Sequence, residues 1–214
     1  MSRVIRHTSG FDETFTAIAE SLRPDSGLHI LPGPYSVEAF QQFSALDLPL
    51  TAELTSAGSI EVMPLLDLRT AALEGRLFGE LYVWGEAVGS GQVYNGSAGW
   101  TLPCGAVRSP DASWLSEATV ASVDPTEFES FARVVPDFIA EVRSKSDKRS
   151  RLEAKMVDTW MDAGVRLAWL IDPIAKEAIV YRQGQAPERI SDFSATLSGE
   201  DVLEGFGFKL ALLG

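Results

Sequence analysis

Glu141 is the residue of this 214-residue chain that most needs a chemical explanation. It stands in Asp137–Arg143 (DFIAEVR), which alternates as a strand: Phe138, Ala140 and Val142 on one face, Ile139, Glu141 and Arg143 on the other. A carboxylate among apolar neighbours is costly to bury alone. Something cationic must answer it, either a metal ion or a salt bridge to Arg143 or Lys155. Asp111 is the second carboxylate of interest, following Pro110 where a strand begins after a turn. By itself an aspartate there is first of all a turn former. Together, two carboxylates on adjacent strands can share a hard divalent cation, and a nearby lysine can orient or activate the attacking water. The pattern that supplies this is Asp, a spacer, then Glu-x-Lys. Here the spacer is 112–140 and the triplet reads Glu141-Val142-Arg143.

Composition removes most other chemistry. The one cysteine, Cys104, excludes an internal disulfide and is too few for a cysteine-based zinc site. The two histidines, His7 and His29, precede every motif, which argues against Ser-His-Asp catalysis, zinc hydrolysis and histidine acid–base work. Carboxylates and lysines remain, and hydrolysis assisted by magnesium is their natural chemistry. A net charge of −12 points away from a general nucleic-acid binder. The exception is Arg143–Lys155 (RSKSDKRSRLEAK), with six basic residues against Asp147 and Glu153. That run is read either as a solvated helix start or as a patch that meets phosphates. No basic leader precedes an apolar stretch at Met1–Leu22, and no apolar run reaches the length of about eighteen residues that spans a bilayer. A soluble, cytoplasmic protein is expected.

The elements that must position these residues can be read from periodicity. Residues 1–56 are expected as an N-terminal arm laid on the core, with a short helix at Phe11–Leu22, a loop over Arg23–Tyr35 and one or two helical turns at Val37–Phe43. Residues 57–214 are expected as one globular unit. Ile60–Val62 reads as a short strand and Leu66–Val88 as a helix stopped by Gly89. Gln92–Asn95, Trp100–Pro103 and Ala112–Leu115 read as strands, and Glu117–Arg133 as partly helical. After the Glu141 strand, a helix capped by Ser146 or Asp147 runs to Ala163 with Leu152, Met156 and Trp160 on its apolar stripe. Arg166–Ile171 is a buried central strand, Glu177–Arg182 returns, and Gly205–Leu212 forms a last edge. The order predicts an α/β fold, a mixed sheet with helices on each side.

Several long strings make the chain resemble a known family: GWTLPCGAVRSPDASWLS (99–116), FARVVPDFIAEVRSKSD (131–147), LEAKMVDTWMDAGVRLAWLIDP (152–173), IVYR (179–182) and LSGEDVLEGF (197–206). They resemble the Uma-type putative restriction endonucleases, a bacterial family prominent in cyanobacteria and long described as a domain of unknown function. The resemblance implies the PD-(D/E)xK restriction endonuclease-like fold and a magnesium- or manganese-dependent DNA endonuclease. It makes Asp111 and Glu141 the metal-binding carboxylates. Arg143 stands where many such nucleases place their lysine; arginine keeps its proton, so it can steady phosphate charge but not act as a base. Lys155, in EAKM, matches a lysine the family keeps there and takes the part of the migrated catalytic lysine. Lys145, Lys148, Arg149 and Arg151 would flank the cleft and meet phosphates. The family's polar residue on the first core helix falls near Arg76, with Glu80 one turn later as the substitute ligand and Glu74 off that face. Arg76 and the acidity of the chain also suit an inactive nuclease-fold protein that binds nucleic acid or a partner, and its apolar faces admit a homodimer.

Overall fold

The computed structural model describes residues 28–46 and 50–214. The helix expected at Phe11–Leu22 lies outside them, as does His7.

The body is a six-stranded mixed sheet in the order β11-β10-β9-β8-β7-β4. Its strands are β4 (Gln92–Asn95), β7 (Ala112–Leu115), β8 (Phe138–Val142), β9 (Leu167–Asp172), β10 (Glu177–Arg182) and β11 (Glu188–Ile190). The β8–β9 pair is parallel and every other pair in this sheet is antiparallel. All residues of β8 and β9 are buried, as a sheet centre covered on both faces requires. The predicted alternation holds. Phe138, Ala140 and Val142 join Leu77, Leu81 and Trp169 in one core cluster, while Ile139 joins Met156, Trp160 and Leu170 in the cluster on the opposite face.

Two helices cover these faces. With α1 assigned to Val37–Ser44, the long helix α2 spans Leu68–Val88 and buries Leu77 and Leu81. Asp67 caps its start by accepting from the N–H groups of Arg69 and Thr70, and Gly89 ends it in the left-handed region, which glycine enters without steric cost. A short helix α3 (Glu117–Ser122) follows β7. On the other face α4 spans Arg149–Lys155 and then widens to a π pitch over Met156–Met161, burying Met156 and Trp160. Its N-cap is Lys148 rather than Ser146 or Asp147. Asp147 turns back instead and accepts from the Ser144 N–H and hydroxyl, at 2.8 and 2.6 Å, closing the loop ahead of the helix.

A second, antiparallel sheet has the order β1-β3-β2-β6-β5, from β1 (His29–Leu31), β2 (Leu50–Leu54), β3 (Ile60–Pro64), β5 (Trp100–Thr101) and β6 (Val107–Arg108). The expected loop at Arg23–Tyr35 therefore holds a strand in its described part, and β2 pairs with β3 along five residues. Phe40 and Phe43 of α1 close its core with Leu54, Ile60 and Val62. Near the C-terminus, β12 (Thr196–Ser198) and β13 (Gly207–Lys209) form a hairpin-like pair, and Leu210–Leu213 is a 3₁₀ turn where the edge strand was expected to continue.

Candidate active site

β8 carries Glu141 toward the α4 side of the main sheet, and the register of β7 on β8 pairs Ala112 with Ala140. Asp111 stands one step beyond that pair, beside Glu141 and Val142, and its Oδ2 accepts from the Val142 N–H at 2.6 Å. Glu141 is 6% exposed, and its Oε1 accepts from Lys155 Nζ at 2.9 Å and from Trp160 Nε1 at 3.1 Å. Lys155 Nζ also donates to Glu53 Oε1 at 3.0 Å. The ammonium is thus shared between a carboxylate of each sheet. Of the open readings for Glu141, the ion pair is with Lys155 and not with Arg143.

These groups line an open cavity of about 460 Å³, with Asp67, Glu74 and Asp147 also on its wall. Lys155 is the cation among its described lining residues, against six carboxylates. Burial drives the Asp111 carboxyl well above its ordinary range, and Glu141 and Glu74 push it further up. Burial, then Glu141, Asp147 and Asp67, raise Glu74 to about 7. Glu141 is also raised: burial leads, and Glu53 adds to it against the pull of Lys155. Burial pulls Lys155 down, but Glu141 and Glu53 outweigh it and hold the ammonium above the ordinary lysine range. Between these two carboxylates Lys155 is held as an ammonium.

The donor set suits a hard divalent ion. Asp111 Oδ1 and Glu141 Oε2 make no hydrogen bond among the described residues, and Glu74 bonds none of them. Carboxylate oxygens are the donors magnesium and manganese prefer, and the excess negative charge is what such an ion would neutralise. Among the described residues, no three His, Cys, Asp or Glu side chains are already drawn around one point.

Several sequence expectations are redistributed. Glu80 is exposed and does not line the cavity; Glu74 is the α2 carboxylate that does. The helix phase explains this, since Glu74 precedes the buried Leu77 and Leu81 by three and seven residues and shares their flank. Arg76 turns to the C-terminal segment, its Nη1 donating to the Leu212 carbonyl at 2.6 Å. Arg143 does not face the cavity: its Nη1 pairs with Asp172 Oδ2 at 2.8 Å and its Nε donates to the Asp147 carbonyl. Arg149 pairs with Glu153 and Glu177, and Arg151 pairs with Glu61 through Nη2. Lys145 and Lys148 are exposed. Cys104 is free and exposed.

Glu53 was missed, along with Arg108 on β6. Arg108 Nη1 bridges Glu53 Oε2 at 2.8 Å and Glu61 Oε2 at 2.7 Å, and the Ser109 N–H donates to Glu53 Oε1. Burial alone would raise Glu53, but Lys155, Arg108 and the Ser109 N–H hold it below its ordinary value. The available signal was the one that marked Glu141: an acid between apolar residues, here Ala52 and Leu54.

A family model described as "Uma2: Putative restriction endonuclease" matches residues 37–212. Among solved structures, the chain resembles "a putative nuclease belonging to DUF820 from Anabaena variabilis" with a TM-score of 0.69 and 15% identity. That match covers 84% of this chain and 97% of the other, and shows a shared fold. No curated protein matches.

Proposed function

The chain belongs to the Uma2 family of putative restriction endonucleases, and on that premise we propose that it is a divalent-metal-dependent endonuclease hydrolysing DNA phosphodiester bonds. The observation that carries the reading is that Asp111, Glu141 and Glu74 line one open cavity together with the ammonium of Lys155. Magnesium or manganese held by these three would supply a water of lowered pKa and neutralise charge on the scissile phosphate. Asp111 is oriented by the Val142 N–H, which leaves its second oxygen for the ion. Trp160 Nε1 and Lys155 fix Glu141 in the same way.

Lys155 keeps its proton, so its part is to donate hydrogen bonds, orienting the attacking water or meeting the charge that grows on the phosphoryl oxygens. Arg143 supports the site indirectly, anchoring the loop of Asp147 to Asp172. Lys145 and Lys148 meet the flanking phosphates. Plasmid DNA incubated with magnesium or with a chelator tests the reading. Wild type should nick it only with the metal, and Glu141→Ala should lose at least a hundredfold of that rate. Equal metal-dependent cleavage by both proteins would overturn the assignment.

A further inference from the structure

Glu53 is 3% exposed, and three donors reach its carboxylate. Arg108 Nη1 meets Oε2 at 2.8 Å, while the Ser109 N–H at 2.9 Å and Lys155 Nζ at 3.0 Å meet Oε1. The backbone beneath it is fixed as well, because β2 pairs with β3 along its whole length. Charge-assisted bonds on both oxygens hold the carboxylate in one orientation. Glu53 is a rigid anchor on the smaller sheet.

Lys155 is the opposite case, a point charge on a flexible aliphatic stem. Its Nζ stands 2.9 Å from Glu141 Oε1 and 3.0 Å from Glu53 Oε1. With Glu141 as its one carboxylate, the ammonium could slide across both oxygens of that group. Glu53 draws it instead to a point between the two sheets. Trp160 Nε1 donates to the same Oε1 of Glu141, and Oε2 has no partner among the described residues. Stability alone does not call for such a series, since well-packed apolar residues in place of a buried ion pair are often as stable or more so. Glu53, Lys155 and Glu141 all line the cavity of Asp111, which gives the series a use there.

We propose that Glu53 is a positioning residue: by holding the Lys155 ammonium at Oε1 of Glu141, it leaves Oε2 for a divalent ion. It touches neither the ion nor the phosphodiester, and it acts through Lys155. The ion in this statement rests on the nuclease reading above. The clamp of Glu53 on Lys155 rests on the distances alone. Groups that orient a metal ligand without touching the metal typically change affinity by about 10–100-fold.

The test compares one chemical change at two places in the full chain, Glu53→Gln and Glu61→Gln. Each removes a negative charge from the same series and keeps the side-chain length. Glu61, however, meets Arg108 and Arg151 and not Lys155. Proton–nitrogen NMR of the metal-free proteins reads the ammonium, its signal assigned by its loss in Lys155→Met, and calorimetry with manganese reads the ion. Wild type and Glu61→Gln should both show a protected ammonium signal and bind manganese alike. Glu53→Gln should lose the signal and bind the ion roughly tenfold or more weakly. Glu53→Asp keeps the charge but not the reach and should follow Glu53→Gln, with thermal unfolding to show that each variant is folded. No protected signal in wild type, a signal or an affinity that survives Glu53→Gln, or an equal loss in Glu61→Gln would each overturn the positioning role. Wild type that binds no manganese removes the metal-dependent reading, and the ammonium signals then decide the clamp on their own. Manganese binding that depends on Glu53 without plasmid cleavage removes the nuclease reading alone.

Discussion

Lys155 is held between Glu53 and Glu141 at 3.0 and 2.9 Å, and replacing it exposes what a buried cation is worth. Lys155→Met leaves two buried carboxylates facing each other, and breaking a buried pair from one side costs about 3–5 kcal/mol. Urea unfolding should show that loss, and an unchanged midpoint would contradict the fixed-cation role. Glu74 yields a pH prediction. Its carboxyl is raised from 4.5 to about 7, so the folded state holds that proton more tightly than the unfolded chain does. The stability of wild type relative to Glu74→Gln should therefore fall as pH rises from about 4.5 through about 7, and level off above it. Thermal unfolding across that window measures it. Magnesium at pH 8 should restore the difference if Glu74 is a ligand, and a pH-independent gap between the two proteins would remove Glu74 from the buried acidic group.

At the scale of elements, α4 decides the site through its change of pitch. The α turn ends at Lys155 and the wider turn begins at Met156, so Lys155 and Trp160 both reach Glu141 from one helix. Trp160→Phe keeps most of the packing and removes the Nε1 donor. It should cost about 1–3 kcal/mol, the range for leaving a buried acceptor under-satisfied, and reduce cleavage in step. Full stability in that variant would show the bond to be dispensable. Much of this element was legible in the sequence. The apolar stripe of Leu152, Met156 and Trp160, the alternation of β8 and the burial of β9 are local patterns of strong period. Glu53, Arg108 and Glu74 were not legible as a group, because their meeting depends on how two sheets and α2 are set against one another. The sequence separation of Glu53 from Lys155 is 102 residues, and no short-range period reports such a contact. Glu80 was reached as the acid one turn after Arg76, whereas Glu74 is the one that lines the cavity, a matter of helix phase set by the packing of Leu77 and Leu81. Arg143 and Arg151 looked free because their acidic partners lie far off along the chain.

At the scale of the whole molecule, the charge is −12 and Arg149 and Arg151 already hold acidic partners, which leaves few uncompensated cations for the DNA of the proposed reading. Affinity then depends weakly on counterion release. With Lys145 and Lys148 as the phosphate contacts, log K against log salt should slope at about −2, measured by fluorescence anisotropy in magnesium. A slope several times steeper would mean a basic surface other than this one. None of the described helices is long and apolar enough to cross a membrane. The alternating series Glu61, Arg108, Glu53, Lys155, Glu141 passes without a break from the smaller sheet into the larger one. That series sets a limit on dissection. A fragment starting at residue 57 would retain every side chain first suspected of chemistry, yet it would lose the middle member of the series and leave Arg108 and Lys155 each short of a counter-ion. A fragment that keeps the series whole therefore has to begin upstream of β2, wherever the candidate site residues themselves begin.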